Sequence, residues 1–149
     1  ASDEEYLAFP REALFNKTGM RSVIWEPDAS GTLVGSSYLY ATQRDYARFG
    51  LLFLHHGNWL GEQILPEDWV TYTTTPAKGS GDQYGAFFWL NRSGKYPGVP
   101  LDMFSCNGHD GQFIFIVPSK HLVVVRNGYS PKGTFDYAAM LKNICDAIE

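Results

Sequence analysis

The chain has 149 residues, a length that suits a single domain able to bury roughly 70% of the surface its unfolded form exposes. Twelve Lys and Arg against sixteen Asp and Glu give a net charge of −4, with no long run of one sign, which disfavours nucleic acid or an anionic membrane as partner. Apolar runs such as Leu51 to Leu54 and Phe113 to Val117 fall far short of the ~20 residues of a membrane span, and two cysteines, Cys106 and Cys145, are too few for a disulfide or zinc framework.

The opening Ala1-Ser2-Asp3-Glu4-Glu5 has none of the basic-then-apolar pattern of a signal peptide. Further on, Thr42 followed by Asp45 makes a variant capping box, and Tyr46, Phe49 and Phe53 recur at helical spacing until Gly57, which predicts an amphipathic helix. His55 and His56 at its end suit carbonyl capping or solvent better than metal. Pro66 fits the first turn of a second, short helix carrying Trp69 and Val70 inward, and the β-branched run Thr73-Thr74-Thr75 disfavours its continuation. Pro76 to Asp82 is rich in structure breakers, and beyond it the pattern turns strand-like. One domain, 1–149, is therefore expected, with a mostly helical and loop part (1–75) and a part of sheet strands plus a terminal helix (84–149).

In that second part Gly85 to Leu90, Phe113 to Val117 and Leu122 to Val125 read as strands, the last two joined by a hairpin loop from Pro118 to His121. Their uninterrupted apolarity implies a sheet covered on both faces. Tyr137, Leu141, Ile144 and Ile148 follow helical spacing to the chain end and predict a helix over one face. The expected fold class is α/β, an antiparallel sheet flanked by helices. Three strands are few for a sheet buried on both sides, so further strands from outside this chain are expected to complete it.

The residues that point most directly to chemistry are Ser105-Cys106-Asn107-Gly108-His109-Asp110-Gly111-Gln112, leading into the apolar run at Phe113. A glycine-rich turn entering a buried strand lets backbone N–H groups face a substrate, because glycine accepts the required φ values and has no Cβ in the way. That is the architecture of an oxyanion hole. Two Asn-x-Ser/Thr matches, at Asn16 and Asn91, are short enough to arise by chance.

Several fragments, in order, resemble the serine beta-lactamase-like hydrolases, the family of class C beta-lactamases, DD-peptidases, esterases and 6-aminohexanoate-dimer hydrolases. Phe15-Asn16-Lys17-Thr18-Gly19-Met20 looks like its F-x-P-L-G-M without the proline, and Trp25 to Gly31 with Val34-Gly35-Ser36-Ser37 looks like the loop that follows. Tyr40 to Gly50, Gly57-x-Trp59-x-Gly61-Glu62-x-Ile64-Leu65-Pro66, Tyr84-Gly85, Phe88-Trp89-Leu90 and Gly108 to Gln112 followed by Pro118 continue the likeness over nearly the whole chain. The resemblance implies amide or ester hydrolysis through an acyl-serine intermediate, with no metal or organic cofactor. Such enzymes use a Ser-x-x-Lys nucleophile and a Tyr-x-Asn loop, neither of which occurs in these 149 residues. The chain is thus expected to be a C-terminal portion whose N-terminal part, covalent or supplied as a separate chain, holds the nucleophile. A separate partner would leave a large exposed apolar patch on this chain.

The resemblance also implies site residues. Read as His-x-Gly, the His109 imidazole would hold a substrate carboxylate or assist proton transfer. Read as Gly-x-x-Gly-Gln, the His109 backbone N–H is one oxyanion donor, framed by Gly108 and Gly111, and the second comes from the serine. The backbone reading is preferred, beside the plainer alternative of an ordinary hairpin entry. Trp25, Asp28 and Tyr38, with Tyr40, are expected pocket-wall residues, Gln112 is expected beside the substrate, and Asn127 is expected near a substrate carboxylate. Lys17-Thr18-Gly19 spells the family's Lys-Thr-Gly motif but stands before the helix, where turn chemistry is expected. Asp45 and Arg48 are expected to pair structurally, and Cys106 to fill space rather than act as nucleophile. The expected partner is a small-molecule amide, ester or lactam. The alternative function is a catalytically inert penicillin-recognising module, and the family's habit of export favours a periplasmic or secreted location.

Overall fold

Ser2 starts the first helix by a capping box: its hydroxyl accepts from the Glu5 N–H while the Glu5 carboxylate accepts from the Ser2 N–H. In the computed structural model, which describes residues 2–148, helix α1 (Asp3–Pro10) runs into a π turn at Arg11–Phe15 and the short α2 (Asn16–Thr18). Gly19 ends this segment at φ 74°, the left-handed position that favours glycine after a helix. Its helicity went unread in the sequence because exposed Tyr6, Leu7 and Phe9 blur the apolar face.

A two-stranded hairpin follows, β1 (Ile24–Trp25) against β2 (Leu39–Tyr40). Helix α3 (Gln43–Leu54) starts where expected: the Thr42 side chain accepts from the Asp45 N–H, and Leu52, Phe53 and Leu54 are buried. A second hairpin, β3 (Asn58–Trp59) with β4 (Glu62–Gln63), leads to α4 (Glu67–Thr73). Here Val70 points inward as expected, but Trp69 stays 44% exposed, its ring tilted against that of Tyr72 with centroids 5.6 Å apart. A helix of seven residues has room for one buried stripe, and Val70 and Thr73 occupy it.

The sheet has four antiparallel strands in the order β5-β6-β7-β8: Trp89–Leu90, Phe104–Asn107, Phe113–Val117 and Leu122–Arg126. The expected strand over Gly85 to Leu90 is cut to its last two residues, and β6 is an addition to the strands read from sequence. Strand alternation sends Ile114 and Ile116 to one face with Phe53, Leu54, Val70, Phe88, Leu90 and Phe104. Phe115 and Val117 go to the other, with Val99, Met103, Leu141 and Cys145. Helix α3 covers the first face and α5 (Tyr137–Asp146) the second, so both faces are buried, as the apolar runs implied. Helix α5 stops at Asp146, with Ala147 as its cap, so Ile148 lies beyond the helix rather than in it.

A third cluster, Phe15, Met20 and Val23 with Trp25, Leu39 and Phe49 around it, anchors the N-terminal segment and first hairpin to α3. The sheet and its two helical covers hold the β6–β7 turn in place.

Candidate active site

The β6–β7 turn is a 3-10 turn at His109–Gly111, with Asp110 at φ 50° and Gly111 at φ 96°. Its glycine is required at position 111, where a Cβ would stand 2.5 Å from the Tyr137 hydroxyl and 2.7 Å from Arg126 Nη1. The Gly108 N–H donates to the Gln112 carbonyl at 2.7 Å. Gly108, expected to frame the His109 N–H, closes the turn through this bond. The His109 N–H donates to no acceptor among the described residues. Its side chain is 95% exposed, with Nε2 3.1 Å from the Asp110 carboxylate; the imidazole projects into solvent.

Hydrogen-bonded and non-bonded pairs alternate along an antiparallel ladder. Because Gly108 bonds back to Gln112, Cys106 and Phe104 exchange bonds with β7, while Ser105 and Asn107 direct their N–H and C=O groups to the opposite edge. On that edge Ser105 lies opposite Trp89 of β5, and the Met103 carbonyl accepts from the Asn91 N–H at 2.9 Å. Asn107 has no strand opposite it, because β5 begins at Trp89. The residue that would continue β5 towards it, Phe87, has φ 71° and turns the chain away. Asn107 thus presents an unpaired backbone N–H at an open strand edge beside His109, and Asn107, Gly108 and His109 are all exposed. The buried Ser105 hydroxyl steadies this end of β6 by donating to Asn107 Oδ1 at 2.7 Å. Asn107 was missed in the sequence because an edge N–H is a property of pairing, which no residue type announces.

The remaining expected site residues fall into two groups. Gln112 belongs with the turn, but both ends of its amide are taken: Nε2 donates to the Gly128 carbonyl at 2.7 Å and Oε1 accepts from the Gly128 N–H at 2.9 Å. That clamp joins the turn to the segment after β8 and leaves Gln112 one further amide N–H beyond these two bonds. Asn127, next to Gly128, is exposed and lies in the same neighbourhood.

Trp25, Asp28 and Tyr38 form the other group, on and around the β1–β2 hairpin. Trp25 Nε1 donates to the Val34 and Ser37 carbonyls at 3.2 Å, fastening the loop between the strands. Asp28 Oδ1 accepts from the Ser30 N–H and hydroxyl and from the Thr32 N–H, an Asx turn. The Ser30 hydroxyl first, then the backbone N–H groups of Thr32 and Ser30, hold its carboxyl below the usual aspartate value. Tyr38 is exposed, with φ 64°. No hydrogen bond among the described residues joins this hairpin to the β6–β7 turn.

Other candidates resolve on structural grounds. Thr18 is buried with its hydroxyl on the Leu14 carbonyl, and Lys17 pairs with Glu62 at 3.3 Å on the surface, so Lys17-Thr18-Gly19 is a helix terminus. Asp45 is buried and accepts from the Ser22 N–H, the Ser22 hydroxyl and Arg48 at 2.6 to 2.7 Å. Burial pushes the Cys106 thiol up to about 12, far from the thiolate a nucleophile needs. Asn91 is fully buried with its amide on the Tyr96, Val99 and Pro100 carbonyls, which excludes it as a glycan acceptor in the folded chain. His55 and His56 face solvent. No cluster of His, Cys, Asp and Glu among the described residues has the arrangement of a metal site, and no helix among them is long and apolar enough to cross a membrane.

No family model matches the sequence, and no curated protein matches it significantly. Solved structures do. A protein from Bacillus anthracis assigned as a 6-aminohexanoate-dimer hydrolase is 25% identical, with a TM-score of 0.74 over 93% of this chain and 37% of its own. An assigned beta-lactamase from Bacteroides dorei is 17% identical, with a TM-score of 0.60 over 93% of this chain and 50% of its own. A beta-lactamase from Mycobacterium bovis is 19% identical, with a TM-score of 0.64 over 92% of this chain and 53% of its own. The fold is that of the beta-lactamase-like hydrolases. The chain spans 37–53% of the length of these solved structures, a share consistent with a C-terminal portion.

Proposed function

We propose that this chain forms the oxyanion side of a serine hydrolase that cleaves an amide or ester bond through an acyl-serine intermediate. The observation that carries the reading is the pair of backbone N–H groups at Asn107 and His109, exposed at an open strand edge and a glycine turn of a beta-lactamase-like sheet. In the proposed reaction a serine hydroxyl, activated by a lysine and a tyrosine from a polypeptide segment outside these residues, attacks the substrate carbonyl. Negative charge developing on the carbonyl oxygen is met by a donor fixed before reaction, which lowers the barrier without reorganisation. Gly111 gives the turn its shape, and the hairpin carrying Trp25, Asp28 and Tyr38 supplies a wall of the pocket. The likeness to a protein assigned as a 6-aminohexanoate-dimer hydrolase supports amide chemistry on a small, non-peptide substrate.

The test uses a chromogenic ester or lactam. The 149 residues alone should give no turnover, and co-expression with a segment of the same fold bearing Ser-x-x-Lys and Tyr-x-Asn should restore it. In the active complex, replacing the Asn107 or His109 amide by an ester linkage deletes one N–H; loss of the true donor should lower kcat about 10²- to 10³-fold. Retained ligand binding with no turnover in the complex would favour the inert recognition module, and unchanged kcat in both ester variants would overturn the assignment.

A further inference from the structure

Arg126 ends β8, directly after the apolar run Leu122 to Val125. Its guanidinium makes contacts in three directions. Nη1 donates to the Gly111 carbonyl at 2.6 Å and to the Gly128 carbonyl at 3.2 Å, and Nη2 donates to the Ser130 hydroxyl at 2.6 Å. The same group lies over the Phe135 ring at 4.7 Å and the Tyr137 ring at 5.5 Å. A planar fork stacked on aromatic faces has little rotamer freedom left to lose, so each bond it makes is held in direction.

The segment from Arg126 to Tyr137 meets the turn at two further points. The Ser130 N–H donates to the Asp110 carbonyl at 2.8 Å, and the Gln112 amide closes a two-bond ring with the Gly128 backbone. The Asp110 and Gly111 carbonyls are therefore both held by one segment, while the Asn107 and His109 N–H groups have no acceptor among the described residues.

We propose that Arg126 is a positioning residue for this turn: by gripping the Gly111 carbonyl from a guanidinium seated on Phe135 and Tyr137, it imposes the left-handed geometry at Asp110 and Gly111 that leaves the His109 N–H free for substrate. The proposal rests on the oxyanion reading of the turn. It adds a charged side chain, and the aromatic pair beneath it, to a site otherwise made of backbone. Lysine would keep the charge but not the fork, so it should fail to hold the turn.

Amide hydrogen exchange and ¹H–¹⁵N spectra of the 149-residue chain test this in R126M, R126K and F135A. The Gly108 and Ser130 amides, whose acceptors are the Gln112 and Asp110 carbonyls, should exchange about tenfold faster in both Arg126 variants, the equivalent of losing one charge-assisted hydrogen bond. Ladder amides at Phe115 and Val124 should keep their protection, and the His109 resonance should move. F135A, which leaves Arg126 in place but removes one supporting ring, should shift the same turn resonances by less. Uniform loss of protection through turn and ladder alike, or turn resonances unmoved in R126K and F135A, would overturn the proposal. No turnover enters these measurements, so a negative result removes the clamp and leaves the hydrolase reading to its own assay.

Discussion

Asp45 shows how one buried charge is kept ionised. Burial works to raise its pKa, but the hydroxyl and N–H of Ser22 and the Arg48 guanidinium outweigh it and bring the value below that of a free aspartate. A depressed folded-state pKa adds stability that is complete above the unfolded value, about 4, and is lost as pH falls through the folded value. D45N should cost about 2 kcal/mol in chemical denaturation at neutral pH, and the gap from the parent chain should close as the pH is taken below about 4. Cys106 follows the opposite sign. Its thiol stays protonated in the fold up to about 12, so stability should decline between about pH 9 and 12 as the unfolded thiol ionises first, and C106A should flatten that decline. Gly111 couples conformation to contact: G111A, at φ 96° and against Tyr137 and Arg126, should lose about 2 kcal/mol or more. Y137F should not rescue it, since the ring and Arg126 remain.

Helix α3 lies against the sheet at a glycine. A Cβ on Gly50 would come within 2.6 Å of Val123 Cγ1 and 3.1 Å of Ile114 Cγ2. G50A should therefore destabilise by about 1–3 kcal/mol through overpacking, against the roughly 1 kcal/mol alanine gains in a helix interior. The double variant G50A/V123A should lose less than the sum of the two single changes, which thermal and urea melts would show. This helix was legible in the sequence from its Thr42 cap and its Tyr46, Phe49 and Phe53 spacing, as β7 was from five apolar residues in a row. Strand β6 was not. Phe104-Ser105-Cys106-Asn107 alternates too weakly to stand out, and it holds its place because the buried Ser105 hydroxyl finds Asn107 Oδ1, a partner visible only once the strand is formed. The length of β5 was hidden for a similar reason: Tyr84 to Leu90 is aromatic enough for a longer strand, but the left-handed Phe87 breaks it.

Taken together, the parts make a sheet covered on both faces, with β6 uncovered at Asn107 past the end of β5 and β8 as the other edge strand among the described residues. Several large apolar side chains stay uncovered, among them Ile24 at 63% and its cross-strand neighbour Tyr40 at 53%, and Phe9 at 66%. If a further part of a beta-lactamase-like fold packs on this chain, these surfaces are where the apolar cost of its absence falls. The chain alone should then self-associate with rising concentration in sedimentation velocity, and the complex with a complementing segment should not. A concentration-independent monomer would argue against a missing packing partner. Composition and periodicity were enough to settle the class of fold and the covered sheet, because burial of apolar side chains at periods of 3.6 and 2 is written into residue order. Whether a given N–H is free, which carbonyl Arg126 grips, and how the Gln112 amide is clamped to Gly128 depended on long-range pairing. Hydrogen bonds between distant segments have no local signature, so those roles became visible only when the strands, turn and terminal helix were seen in place.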